Sequence, residues 1–380
     1  MIRLAILGST GSIGRQTLEV VRSLRRRFRV VGLAAGHNVT LLEEQAREFS
    51  PSLLWADREG DYLQQKAPSL RARWTPMDEM ACHPEVDIVV VATAGRAGLV
   101  PTLAAANAGK VVALANKEVL VMAGHLVVAA ARQHGAELRP IDSEHSAIWQ
   151  CLWGEDRAGI SRVILTGSGG AFRDLSPDDL ARVTAEEALR HPTWQMGHKV
   201  TIDSATLLNK GLEAIEAHWL FGVPFDKIDV VLHRESIVHS LVEFRDGSVK
   251  AQLGMPDMRL PIQCALTYPQ RWPAARVKRL DLARLGTLAF CEPDPRRFPC
   301  LGLALEAGRR GGTFPTAMAA ADEVAVEHFL AGRIGFMDIP RVIETTLTAH
   351  DGTVEPSLDD VLAADAWARR WAEDWLRARA

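Results

Sequence analysis

Short apolar runs separated by helix-like segments fill the first third of the chain. Residues 2–7 form one run, and others follow at 30–34 (VVGLA), 87–92 (DIVVVA) and 110–115 (KVVALA). Strands this continuously apolar are buried on both faces, which calls for a parallel sheet covered by helices. The first run ends in a glycine-bearing turn that opens a helical segment to about residue 24. Thr40-Leu41-Leu42-Glu43 has the spacing of a capping box for the next helix. Residues 1–140 are therefore expected to be a doubly wound, Rossmann-type nucleotide-binding domain.

The pattern changes near residue 141. RVILT at 162–166 runs into a Gly-Ser-Gly-Gly turn at 167–170, and a helix is expected across 205–220. IDVVLH at 228–233 and VHSLVEF at 238–244 are separated by polar residues, and Asp246-Gly247 is a hairpin turn before SVKAQLG. This mixture predicts an α+β second domain over 141–268. Proline and basic residues thicken at 269–300, as in a linker or surface arm, and from 301 to 380 the chain is Ala-rich and helical. Trp367, Trp371 and Trp375 share one helix face, a spacing that predicts packing rather than a cofactor box.

Bulk properties narrow the function class. A chain of 380 residues exceeds one core and divides into domains. Apolar residues make up 47% and charged residues 24%, as in soluble globular proteins, and a net charge of -3 gives no reason to expect nucleic acid or an anionic membrane. Five scattered cysteines without a CxxC pair suggest reduced thiols. No apolar run reaches about 18 residues and no signal-peptide pattern precedes the first strand, so the cytoplasm is the expected location.

Gly8-x-x-Gly11-x-x-Gly14 departs from the usual G-x-G-x-x-G, but it follows a buried strand and opens a helix. There a backbone approaches a pyrophosphate that the helix amino terminus favours; a tight packing turn is the plainer alternative. The end of the second strand, Ala34-Ala35-Gly36-His37-Asn38, has no carboxylate to hold a ribose 2'-hydroxyl, which favours NADP over NAD. His37 is a softer cue for a 2'-phosphate than arginine would be. Gly95-Arg96-Ala97-Gly98 and Asn116-Lys117-Glu118 follow two further strands, where such folds bind ligands.

Asp142 and Glu144 would share one side of an extended segment, and two carboxylates held together call for a proton or a cation. Hard oxygen ligands select Mg²⁺ or Mn²⁺. Glu213 lies four residues after Asn209 and three after Lys210 on one helix surface, and is a candidate third ligand. Ser204, Asn209 and Lys210 suit a phosphate, as does Ser168 among its glycines. A solvated acidic edge, a helix salt bridge and a flexible loop account for the same features separately. His191-Pro192-Thr193-Trp194-Gln195-Met196-Gly197 suits a movable lid or a packed loop equally.

GSTGSIG at 8–14, LANKE at 114–118, IDSEHSAIWQ at 141–150, LTGSGGAFRD at 165–174, HPTWQMG at 191–197 and DSATLLNKGLEAIEA at 203–217 occur in order. VHSLVEFRDGSVKAQLG at 238–254, PDMRLPI at 256–262 and GGTFPTAMAAADEVAV at 311–326 continue them. Through these stretches the chain resembles the 1-deoxy-D-xylulose 5-phosphate reductoisomerase family over essentially its full length. The resemblance implies Asp142, Glu144 and Glu213 as ligands of one Mn²⁺, Mg²⁺ or Co²⁺. It implies Ser143, Trp194 and Met196 around the substrate, and Ser168, Ser204, Asn209 and Lys210 at its phosphate. Lys117 and His191 are expected as further catalytic groups in addition to the three acids, His191 also touching substrate. NADPH contacts are expected at Thr10, Gly11, Ser12 and Ile13, at Gly36, His37 and Asn38, and at Asn116, Lys117, Glu118 and Gly197. His37 stands where the family often has Lys or Arg.

The family is homodimeric, with a nucleotide domain, a catalytic domain carrying a lid, and a carboxyl-terminal helical bundle. Its reaction is a retro-aldol and aldol rearrangement of the sugar phosphate followed by hydride transfer, giving 2-C-methyl-D-erythritol 4-phosphate. Two other readings remain testable. In a metal-independent NADP sugar dehydrogenase the acids would make only salt bridges, and a nucleotide-binding regulatory protein would bind cofactor without turnover.

Overall fold

The computed structural model describes all residues except 58–59, 67–68, 195, 274–276 and 380, together with the side chains of 60 and 66. Gln195 of the expected lid and residues 274–276 of the expected linker thus lie outside the described residues.

From the amino terminus run β1 (Ile2–Leu7), α1 (Ser12–Ser23), β2 (Phe28–Ala35), α2 (Val39–Phe49), β3 (Leu53–Ala56), α3 (Gly60–Lys66) and β4 (Arg73–Trp74). Then come α4 (Met77–Cys82), β5 (Ile88–Val91), α5 (Leu99–Asn107), β6 (Val111–Leu114), α6 (Lys117–His134) and β7 (Glu137–Pro140). The strands form one parallel sheet in the order β4-β3-β2-β1-β5-β6-β7. Strand order reverses at β1, which lies between β2 and β5, so the loops leaving β1 and β5 open the crevice where such sheets bind ligands. Leu4, Ile6 and Val90 pack with Leu18 and Val21 of α1 in the core.

Helix α2 corrects the expected cap. Asn38, not Thr40, accepts the amide of Leu41, at 3.0 Å, and Glu43 turns to Arg47 at 2.6 Å. An Asn side chain just before the helix reaches the unpaired amides directly, which leaves Glu43 free to pair one turn onward.

Next come α7 (Ser143–Cys151), β8 (Ile160–Gly167), α8 (Pro177–Leu180), α9 (Ala185–Ala188), α10 (His198–Thr206) and α11 (Leu208–Phe221). They are followed by β9 (Ile228–Leu232), β10 (Val238–Phe244), β11 (Val249–Leu253), α12 (Arg259–Thr267) and α13 (Leu282–Leu285). Four longer helices finish the chain: α14 (Pro299–Arg310), α15 (Phe314–Leu330), α16 (Asp338–Ala349) and α17 (Leu358–Arg377). The second sheet is β11-β10-β8-β9, with β10 antiparallel to β11 and β8, and β9 parallel to β8.

The single helix expected at 205–220 is instead α10 and α11, broken at Leu207, whose φ is 58°. That backbone costs a branched residue about 1–2 kcal/mol. Leu207 offsets it by burial against Leu232, Phe298 and Leu301.

The chain forms two compact units, one of Met1–Val119, Gly124–Ser146 and Asp257–Lys278, the other of Leu120–Ala123, Ala147–Pro256 and Arg279–Ala380. Both units are discontinuous in sequence, unlike the linear segments expected with bounds at 140, 268 and 300. Helix α12 returns to the first unit because Ile262, Ala265 and Leu266 complete its core, while Arg259 pairs with Glu19 at 3.3 Å. The carboxyl-terminal helices share a unit with the second sheet. Gly211 of α11 lies so close to α14 that a Cβ there would meet that of Ala304 at 2.2 Å. The expected linker adds a bridge to β9, with Leu232 and Cys291 exchanging backbone hydrogen bonds at 2.8 and 3.0 Å.

Of the tryptophan stripe, Trp367 packs on Ala317 and Ala320 and Trp375 on the larger core, whereas Trp371 stacks on Trp367 at 5.8 Å and stays exposed. All five cysteines are free. Among the described residues no helix is long and apolar enough to cross a membrane.

Candidate active site

In the first unit the glycine loop is built for close backbone approach. Gly8 has φ +89°, and a Cβ there would lie 2.4 Å from the carbonyl oxygen of Ala92 at the end of β5. A Cβ on Gly14 would lie 2.2 Å from the carbonyl oxygen of Gly8. Thr10, Gly11, Ser12 and Ile13 occupy the turn between them. Gly11 caps α1 with no side-chain acceptor, so the first amides of that helix stay available to an anion. Gln45 of α2 fixes the loop from behind, accepting from the Ser9 hydroxyl at 2.7 Å and donating to the Ser9 carbonyl at 3.0 Å. The sequence carried no signal for that tie.

Gly36, His37 and Asn38 are exposed just beyond β2. Asn38 is engaged as the α2 cap, whereas a Cβ on Gly36 would meet nothing within 4 Å. Asn116 is a structural tie between strand ends. Its amide donates to Thr93 Oγ1 at 3.1 Å and the Gly95 carbonyl at 2.9 Å, and its oxygen accepts from the Val119 amide at 3.3 Å. Glu118 is buried beside it in sequence, on the first turn of α6.

Lys117 points elsewhere. Its ammonium lies 2.6 Å from Asp142, which joins it to the acid group. The extended geometry expected for Asp142 to Glu144 is not found, because Ser143 begins α7 and Glu144 lies in its first turn. An acid there is favoured by the helix dipole. The Ser143 hydroxyl donates to Glu144 at 2.7 Å, and His145 Nδ1 is 3.9 Å from Asp142.

In the second unit a different glycine loop gathers side chains. Gly170, at φ +69°, approaches α10 so closely that a Cβ would lie 2.5 Å from the Ser204 carbonyl oxygen. A Cβ on Gly167 would lie 3.2 Å from Lys210 Cγ and Cε, so the lysine stem crosses the start of the loop. Ser168 is thereby brought to α10 and α11. On α11, Asn209 donates to Glu213, and Lys210 Nζ lies 2.5 Å from the other Glu213 oxygen. All three are buried.

His191 joins this loop from the expected lid. Its Nε2 is 2.9 Å from Ser168 Oγ, and its Nδ1 accepts the amides of Thr193 at 3.1 Å and Trp194 at 2.9 Å. Burial first, then the Arg173 and Lys210 charges, pushes its pKa down to about 4. Trp194 and Met196 are half-buried, and Gly197 caps α10. His239 of β10, to which the sequence assigned no role, lies 6.2 Å from the Trp194 ring centre. Its own burial, opposed by the Gly254 carbonyl and reinforced by Lys210 and His233, pushes it to about 4. The only signal for it was an imidazole near the start of a largely apolar strand.

Comparison with known proteins places the chain in one family. The model of 1-deoxy-D-xylulose 5-phosphate reductoisomerase matches residues 4–124, that family's C-terminal domain model matches 138–221, and the DXP reductoisomerase C-terminal domain model matches 253–371. The chain is 54% identical to 1-deoxy-D-xylulose 5-phosphate reductoisomerase of Pelotomaculum thermopropionicum, covering 99% of both chains. It is 53% identical to that of Bacillus cereus strain Q1, covering 99% of this chain and 100% of the relative. A crystal structure of DOX-P reductoisomerase in complex with NADPH, fosmidomycin and magnesium superposes with a TM-score of 0.93 at 42% identity, over 99% of this chain and 98% of that one. The Zymomonas mobilis enzyme in complex with NADPH gives 0.92 at 41%, over 99% of each. The chain therefore belongs to the 1-deoxy-D-xylulose 5-phosphate reductoisomerase family and is an oxidoreductase.

Proposed function

We propose that the protein converts 1-deoxy-D-xylulose 5-phosphate to 2-C-methyl-D-erythritol 4-phosphate with NADPH and one divalent cation, Mg²⁺, Mn²⁺ or Co²⁺. In this reading it works as a homodimer in the cytoplasm. The observation that carries it is the 167–170 loop, in which Gly170 lies against the backbone at Ser204 and Gly167 against the stem of Lys210, on either side of Ser168. Two hydroxyls and an ammonium suit a phosphate monoester.

The acids fit a hard cation. Asp142, Glu144 and Glu213 offer only oxygen donors, and ammonium groups already lie against Asp142 and Glu213. When bound, the cation supplies Lewis-acid stabilisation of charge on substrate oxygens during carbon–carbon bond rearrangement. Lys117 and Lys210 hold those carboxylates in place, and Ser143 orients Glu144 through its hydroxyl. The phosphate contacts anchor substrate away from the reacting carbons, so binding energy is available to the rearrangement. Trp194 and Met196 cover the substrate and exclude water.

The glycine turn at residues 8–14 fits a dinucleotide, because Cβ atoms at Gly8 and Gly14 would collide with backbone and the amides at the start of α1 lack a side-chain cap. NADPH supplies the hydride. Thr10, Gly11, Ser12 and Ile13 would hold its pyrophosphate, and Gly36, His37 and Asn38 its 2'-phosphate end. Asn116, Lys117, Glu118 and Gly197 would supply further cofactor contacts.

The deciding experiment is Glu213→Gln with deoxyxylulose phosphate, NADPH and added metal. Turnover should fall on the order of 10²-fold or more, while NADPH affinity is retained. Unchanged turnover, or full activity in the wild type after thorough chelation, would overturn the metal assignment in favour of a metal-independent dehydrogenase.

A further inference from the structure

The hydrogen bonds around His191 determine where its proton lies. Two backbone amides, from Thr193 at 3.1 Å and Trp194 at 2.9 Å, donate to Nδ1. A ring nitrogen that receives donors presents a lone pair, so Nδ1 carries no hydrogen. The neutral ring then keeps its hydrogen on Nε2, 2.9 Å from Ser168 Oγ, and donates it there. The Gly170 amide donates to the same oxygen at 3.2 Å. With two donors on its lone pairs, the Ser168 hydroxyl has one role left: its own hydrogen points away as a donor.

The surroundings keep the ring neutral. The charged groups facing it are Arg173, on the glycine loop, and Lys210, on α11. Both are cations, and Arg173 is fixed by donating to the Ser168 carbonyl at 3.3 Å. A second proton on the imidazole would be half-buried beside two positive charges.

We propose that His191 is a positioning residue and not a proton-transfer group: a neutral Nε2–H tautomer that turns the Ser168 hydroxyl toward an anionic ligand. The same ring links that orientation to the backbone at Thr193 and Trp194, so the segment carrying Trp194 and the anion-binding serine are set together. The identity of the anion as a sugar phosphate rests on the proposed function. The tautomer does not.

Nitrogen-15 NMR of the full-length, histidine-labelled protein reads the tautomer without substrate or turnover, with His191→Gln identifying the signal that belongs to His191. The expected result is an unprotonated Nδ1 and a protonated Nε2, unchanged from about pH 5 to 8. A hydrogen on Nδ1, or a ring that titrates within that range, overturns the proposal whatever the enzyme's substrate is. Kinetics test the link to Ser168. In His191→Asn the amide oxygen replaces Nδ1 as acceptor but nothing reaches Ser168; in His191→Gln an N–H reaches Ser168 but the acceptor is lost. Both should raise KM for the sugar phosphate, Asn by roughly tenfold and Gln by less, with the pH profile of kcat unchanged in shape. Loss of one ionisation from that profile in both variants, with KM unaltered, would show proton transfer and overturn it.

Discussion

The loops at Gly8–Gly14 and Gly167–Gly170 share a composition and a place after a buried strand, yet they perform opposite tasks. The first brings backbone to backbone: Gly8 against Ala92, Gly14 against Gly8. It leaves amides at the start of α1 for a ligand and needs no side chain of its own. The second meets backbone at one glycine and a side chain at another. Gly170 rides on the α10 backbone at Ser204, and Gly167 lies under the Lys210 stem, so the loop carrying Ser168 lies against two other helices. A glycine motif therefore marks close approach, while what is approached decides the ligand.

Adding one methyl to each loop separates the two tasks. Gly170→Ala should have the largest effect, because it incurs about 1–2 kcal/mol for positive φ and about 1–3 kcal/mol for the contact at Ser204. Denaturant unfolding should detect that loss, and KM for the sugar phosphate should rise while NADPH affinity holds. Equal weakening of NADPH binding would mean that the loops are not independent. Gly14→Ala incurs only the overpacking, roughly 1–3 kcal/mol. Fluorescence titration should show weaker NADPH binding with sugar-phosphate binding intact, and unaltered cofactor affinity would break the assignment of this loop.

Acid should act first on the second unit. Folding lowers the pKa of His239 from its ordinary value to about 4, so between about 6.5 and that value the unfolded chain binds more protons than the folded one. The stability gained by keeping the ring neutral is complete above about pH 6.5 and is lost as pH falls through about 4. Hydrogen exchange in β10 should speed up across that window, and less so in His239→Asn. Identical pH dependence in both proteins would remove His239 as a cause. The smallest effect belongs to exposed His37: His37→Ala should lower the ratio of kcat/KM for NADPH over NADH by about twofold to fivefold. A wild-type ratio near one would show that neither His37 nor the missing acid specifies the 2'-phosphate.

Local spacing accounted for much of this. Apolar runs predicted β1, β2, β5 and β6, and the three- and four-residue intervals from Lys210 and Asn209 to Glu213 became hydrogen bonds on one face of α11. Errors arose where distant packing overrode a local preference. Leu207 breaks a helix because its burial against Leu232, Phe298 and Leu301 offsets an unfavourable φ. Helix α12 leaves its sequence neighbours because its apolar face completes the core beneath α1.

By itself the amino-acid sequence determined the kinds of element, the parallel nucleotide sheet, the candidate acids and the family they resemble, because these follow from periodicity and residue type along a continuous chain. Only the tertiary structure decided that Asn38 caps α2, that Lys117 turns to Asp142, and that the 167–170 loop lies against the Ser204 backbone and the Lys210 stem. It also placed both donors on His191 Nδ1. Those outcomes depend on direction and on packing between residues far apart in the chain, and neither is encoded in spacing.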